Sequence, residues 1–156
     1  MNDDQIYLGF DPGGERGFGV ALIVGAEVRA ATVSTVAEAV VWAVRECSSQ
    51  IPVAAGVDTL LCWSDGPAGW RPADRVLRAS YPAAQASIIS PNYLSGSMSI
   101  GGMALALRLR ERWRNIVLNE THPKLLVTAL GGSRYKDDAA DAAIEWFAKH
   151  SSRARH

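Results

Sequence analysis

Four aspartates in this sequence have the type and spacing needed to hold divalent cations. Asp11 closes the apolar run YLGF and is followed at once by Pro12, Gly13 and Gly14. Asp58 lies in a second apolar run, VAAGVDTLLCW. Asp138 and Asp141 stand three residues apart in KDDAADAAIEWF, a segment with the marks of a helix beginning. Carboxylates are hard oxygen donors, and an all-oxygen set suits Mg2+ or Mn2+ better than zinc. Two such ions about 3.5–4 Å apart activate a water and stabilise the leaving oxygen in an in-line phosphodiester displacement. Phosphodiester hydrolysis is the chemistry to expect here, provided that the four acids converge.

Each acid also has a plainer use. Asp-Pro-Gly is a turn sequence in which the carboxylate satisfies its own backbone. Acids in the first turn of a helix favour its macrodipole. At about 100° per residue, Asp138, Asp141 and Glu145 share a sector of about 60°, opposite Ala140, Ala143, Ile144 and Phe147, as on any solvated helix face. Asp141 borders the apolar stripe beside Ile144. Asp58 is the hardest to read as incidental, because a carboxylate inside an apolar run is costly to bury unless it is paired, hydrogen-bonded or bound to metal.

The elements that must position these acids are legible in part. Ile6 to Phe10 and Gly17 to Val24 read as strands, and Gly25-Ala26 as a tight turn into a third strand, Glu27 to Val33. Ser34 or Thr35 caps a helix running to about Cys47, with Glu38 in the capping-box position relative to Thr35 and Val36, Val40, Val44 and Cys47 as its apolar stripe. Pro52 opens a fourth strand, apolar on both faces. A loop and a short Pro-initiated helix follow. Residues 82–102, rich in Ser, Gly, Pro and Ala, read as a long connection. Met103 to Trp113 reads as a crossover helix, Asn115 to Glu120 as the fifth strand, Pro123 to Leu130 as a short helix, and about Asp137 to His150 as the last. Right-handed crossovers then give a mixed α/β sheet in order 3-2-1-4-5, flanked by helices. The chain leaves the first and fourth strands in opposite directions, so the crevice at their carboxyl ends is a topological switch point. Asp11 and Asp58 both point toward it.

Composition sets bounds on this reading. The chain has 156 residues, with 16 basic and 16 acidic side chains, so no global positive field attracts nucleic acid. Between Arg71 and Arg114 there are seven arginines against Asp74 and Glu111. Guanidinium groups suit bidentate phosphate contacts. Arg71, Arg75, Arg78, Arg108 and Arg112 are accordingly candidate nucleic-acid contacts, with Trp70 as a stacking platform. Two irregularly spaced cysteines exclude a zinc site or a disulfide framework and are expected to be reduced thiols. The polar, acidic start MNDDQ and the lack of a long apolar run lead us to expect a cytoplasmic protein with no membrane partner. Residues 1–150 are expected to form one domain and residues 151–156 a disordered tail.

The order of elements and the placement of the acids resemble the RNase H-like nuclease fold. The DDAADA segment is similar to the acidic helix of RuvC-type Holliday-junction resolvases. Three short motifs resemble more closely a domain-of-unknown-function family of predicted RNase H-like nucleases: LGFDPGG, Glu120-x-His122-Pro123, and Lys136-x-Asp138-x-x-Asp141-Ala142. The resemblance implies a nuclease acting on DNA or RNA with Mg2+ or Mn2+ held by Asp11, Asp58, Asp138 and Asp141, and products ending in a 5′-phosphate and a 3′-hydroxyl. Because junction resolvases act as dimers, it also implies a homodimer. RuvC-like enzymes carry Glu on the fourth strand and are more basic, and this chain departs from both features. Glu120 ends the fifth strand and could be a further ligand or position a metal-bound water, and His122 could pass a proton to the leaving oxygen. The plainer alternative for both is a helix entry capped by Thr121. Two rival classes remain in view. One is a catalytically inactive RNase H-like module that binds nucleic acid or protein. The other is the actin-like kinase group, which shares the strand order but closes two such domains over its nucleotide, so a chain of this length is expected not to belong to it.

Overall fold

The structure, a computed structural model, describes residues 5–13, 17–93 and 96–129. Alternation builds its sheet. In β1 (Ile6–Asp11) and β2 (Phe18–Val24), every second residue is buried: Ile6, Leu8 and Phe10 on one strand, Phe18, Val20 and Leu22 on the other. The strands pair antiparallel with Leu8 opposite Leu22 and Phe10 opposite Val20, so the two apolar rows coincide on one face. Gly25 turns the chain into β3 (Glu27–Val33) with a φ of 56°, a conformation that glycine holds without strain.

The helix α1 (Val36–Cys47) begins where the capping pair was expected. Thr35 Oγ1 accepts from the Glu38 amide at 3.1 Å, and the Glu38 carboxylate accepts from the Ser34 amide at 2.8 Å. Its buried face is rolled from the expected valine stripe: Ala39, Trp42, Ala43 and Cys47 are buried, and Val36, Val40 and Val44 pack only partly against the core. The two alanines let the helix backbone approach the sheet closely, and the Trp42 ring fills the space beside them.

The strand β4 (Ala54–Val57) is shorter than the apolar run that contains it, because the Thr59 amide bonds back to the Val57 carbonyl at 2.8 Å and turns the chain just after Asp58. It lies parallel to β1, with Val57 beside Phe10, and parallel to β5 (Val117–Glu120), with Val57 beside Glu120. The result is an α/β architecture whose five-stranded mixed sheet has the order β3-β2-β1-β4-β5, flanked by helices.

Among the described residues of the connection expected over 82–102, most lie in helical elements. After α2 (Pro72–Ser80), short 3-10 turns occupy Pro82–Ser87 and Pro91–Tyr93, and α3 (Gly96–Arg112) starts well before Met103. Helix propensity argues against a Gly-Ser start, but tertiary fit outweighs it. Gly101 sits over Pro12 and Phe18, and a β-carbon at Gly102 would overlap the Thr59 methyl, so it is the glycine at 102 that allows α3 to pack this closely on the strand ends. Leu105 and Leu109 then enter the same core as Trp42, Phe10 and Val57.

The chain divides into two compact units, Met1–Arg71 with Ser90–Thr121, and Pro72–Ile89 with His122–His156. The first holds the whole sheet with α1 and α3. In the second, α2 is tied to the Pro82–Ser87 turn by Arg78, whose Nη1 donates to the Gln85 and Ile88 carbonyls at 2.6 and 2.7 Å. The second unit also holds α4 (Pro123–Ala129). The last expected helix and the tail lie outside the described residues. Among the described residues no helix is long and apolar enough to cross a membrane.

Candidate metal centre

The parallel pairing of β1 with β4 brings two of the predicted acids to one edge. Asp11 is the last residue of β1, and Asp58 directly follows β4. The last register pair is Phe10 with Val57, and the Asp58 amide donates to the Phe10 carbonyl at 2.8 Å. The two aspartates therefore occupy the next step on neighbouring strand tips. On its other side Asp11 pairs with Gly19, where an added β-carbon would stand 3.3 Å from Asp11 Cβ. A side chain at that position would crowd the carboxylate. Small residues, Gly9, Ala21 and Gly56, stand side by side on β1, β2 and β4 one step before the two acids, and the Thr121 methyl packs over Gly56.

Glu120 does something the sequence did not reveal. Its Oε1 accepts from the Leu61 amide at 2.7 Å and from Arg71 Nη1 at 2.6 Å. The side chains are 29% and 17% exposed respectively, so this charge-assisted contact is only partly screened. Leu61 and Arg71 mark the two ends of most of the loop that follows Asp58, and Glu120 holds both. Glu120→Gln keeps an acceptor but loses the charge, so we expect a loss of about 1 kcal/mol and faster hydrogen exchange at the Leu61 amide. An unchanged exchange rate would contradict the clamp.

Arg71 Nη1 also donates to Cys62 Sγ at 3.2 Å. Cys62 is exposed, whereas Cys47 is buried and burial pushes its thiol up from the ordinary range. Since the thiolate is the reactive form, iodoacetamide at neutral pH is expected to modify Cys62 alone in the folded protein. Peptide mass spectrometry would show Cys47 labelled only after unfolding.

His122 caps α4. Its Nδ1 accepts from the Leu125 amide at 3.4 Å, which leaves Nε2 as the donor to the Ser87 carbonyl at 2.8 Å. This is the helix entry foreseen for the Thr-His-Pro segment, with the cap one residue later than Thr121. Both ring nitrogens are engaged within the second unit.

Within the first unit the candidate arginines divide between Arg71, at the loop after Asp58, and Arg108 and Arg112 on α3. Arg108 is exposed and ion-paired to Glu111 at 3.1 Å, and the Arg112 guanidinium lies 5.6 Å from the centre of the Trp113 ring. Near its start α3 meets Pro12 and Thr59 at the acidic edge. At 1.5 Å per residue, Arg108 and Arg112 lie roughly 10 and 16 Å further along the axis than Gly101, toward the edge where the Val117 amide bonds the Val53 carbonyl. Arg75 is exposed on α2. Trp70 is half-buried, and the exposed ring of its loop is Trp63.

Asp138 and Asp141 lie outside the described residues. Among the described residues no group of three or more His, Cys, Asp and Glu side chains is placed to hold a metal ion. Those residues contribute the two strand-tip carboxylates.

Sheet order and acidic tips together define an α/β protein with paired carboxylates at a topological switch point. A family described as a protein of unknown function, DUF429, matches residues 9–154, and the chain belongs to that family. No curated protein and no solved structure matches it.

Proposed function

We propose that this chain is a divalent-metal-dependent nuclease of the RNase H-like type, hydrolysing nucleic-acid phosphodiesters. The observation that carries the reading is the placement of Asp11 and Asp58 on adjacent parallel strand tips, in a sheet of order 3-2-1-4-5. The donor chemistry fits Mg2+ or Mn2+, and glycine at position 19 spares Asp11 a close side-chain contact across the strand pair. Asp11 and Asp58 would hold the metal together with Asp138 and Asp141 from the acidic segment. When bound, the metal supplies a Lewis acid for the scissile phosphate and lowers the pKa of a bound water.

The chain's own residues fix where that chemistry takes place. The Asp58-to-Phe10 bond sets the spacing of the two tips, and the Thr121 amide extends the same ladder by donating to the Val57 carbonyl at 2.8 Å. Glu120 steadies the loop leaving Asp58 through Leu61 and Arg71, and in this reading it is a positioning residue. Incubating the protein with end-labelled single strands, duplexes, hybrids and four-way junctions in Mg2+ or Mn2+ tests the proposal. We expect cleavage that EDTA abolishes and products with 5′-phosphate and 3′-hydroxyl ends. No cleavage of any of these substrates in either metal would overturn it.

The balance of 16 basic and 16 acidic residues favours a second reading, a module that binds nucleic acid or protein without cutting. Melting curves separate the two. Convergent carboxylates repel one another without metal, so the nuclease reading expects Mn2+ to raise the melting temperature, and the binding-only reading expects no rise.

A further inference from the structure

Two large aromatic rings stand in solvent on the loops beside the acidic edge. Trp63 is 64% exposed and Tyr93 is 74% exposed, whereas Trp42 and Trp113 are 7% and 6% exposed and belong to the core. Nothing in the packing of the sheet requires either ring to face water. Their backbones are nevertheless fixed. Asn92 Oδ1 accepts from the Ser64 amide at 3.1 Å and Asn92 Nδ2 donates to the Ser64 carbonyl at 2.9 Å, so one side chain mimics a strand partner. Ser64 is itself buried, and its hydroxyl accepts from the Gly66 amide at 3.1 Å. Trp63 and Tyr93 are the immediate chain neighbours of this cross-link, one on each side. The Trp63 loop leaves directly from Asp58 and is pinned by Glu120 at Leu61.

Charge decides what such rings would meet. A protein that grips duplex nucleic acid draws most of its affinity from phosphate neutralisation. This chain carries no net charge, and Arg108 and Arg112 sit away from the acidic edge. Aromatic rings stack on unpaired bases without regard to sequence, and bases within a duplex offer no free face. We infer that Trp63 and Tyr93 form a stacking platform for unpaired bases, so that the strand presented to Asp11 and Asp58 is single-stranded or locally opened. This rests on the nucleic-acid reading above and narrows its substrate class.

Fluorescence anisotropy in EDTA, on the Asp11→Asn variant, tests the platform without cleavage. A labelled oligo(dT) of about 20 nucleotides is expected to bind at least about 10-fold more tightly than a duplex of the same length. Trp63→Ala and Tyr93→Ala should each weaken strand binding by about 5- to 100-fold. Trp63→Phe should keep most of the affinity, and Trp63→Leu, apolar but without a π face, should not. Circular dichroism checks that these surface variants fold. Equal affinity for strand and duplex, no binding of either, or a Trp63→Leu variant that binds like the parent overturns the platform. Cleavage in Mn2+ that ignores both ring substitutions also overturns it while leaving the nuclease reading intact. Ring-dependent strand binding with no cleavage in any metal supports the platform and removes the nuclease.

Discussion

Asp11→Asn is expected to lower metal-dependent cleavage by at least about 100- to 1,000-fold, the scale on which a preorganised electrostatic element contributes to catalysis. The fold should survive. Asparagine is nearly isosteric, Asp11 is exposed, and its place in the sheet is set by backbone pairing to Gly19 and by the turn in which the Gly13 amide donates to the Asp11 carbonyl at 2.7 Å. In EDTA the melting temperature should stay close to that of the parent, since the backbone pairing is untouched. Asp58→Asn and Asp141→Asn should behave alike. Initial rates in Mn2+, paired with melting curves in EDTA, read both halves of the expectation. Cleavage at the parent rate by Asp11→Asn would show that the site is elsewhere.

Gly102→Ala is expected to destabilise the protein by about 3 kcal/mol, the upper range for overpacking a core. For a chain of this size that is a fall of roughly 10 °C in melting temperature. The new methyl would collide with Thr59, the residue after Asp58, so α3 or the strand tip must shift. Thr59 is buried, and its hydroxyl donates to the Met98 carbonyl at 3.4 Å, which leaves little room to yield. Thr59→Ser removes the colliding methyl and keeps the hydroxyl, so the double variant should recover most of the loss. A double-mutant cycle by thermal or urea unfolding measures this coupling. Additive effects in the cycle would show that the loss at Gly102 does not come from contact with the Thr59 methyl, since alanine is the better helix former of the two.

Asp11 and Asp58 could be placed side by side from sequence because their adjacency follows from chain order. Two hairpin-linked strands and two right-handed crossovers leave little choice of neighbour. The ends of elements obey different forces. The fourth strand stops at Val57 because of one backbone turn, and the early part of α3 packs on the strand ends because Gly102 leaves room for the Thr59 methyl. Neither contact is visible in local propensity. Glu120 reads from sequence as a free acid at a strand tip, and its partner Arg71 is 49 residues away. Trp70 is half-buried and Trp63 is the exposed ring of the same loop, a difference set by contacts distant in sequence. Apolar content alone cannot tell which ring of one loop turns inward, and no pattern announces that Asn92 will hold Ser64. A tryptophan directly before a Ser-Asp-Gly turn was the one available signal. The acidic pair at Asp138 and Asp141 belongs to the proposal through its sequence pattern alone.

The central claim is that Asp11 and Asp58 hold a divalent cation. Crystals soaked in Mn2+ and measured at the manganese absorption edge test it most directly. An anomalous difference peak is expected at the tips of β1 and β4, about 2.0–2.3 Å from carboxylate oxygens of both residues. An ordered edge with no peak between Asp11 and Asp58 would contradict it.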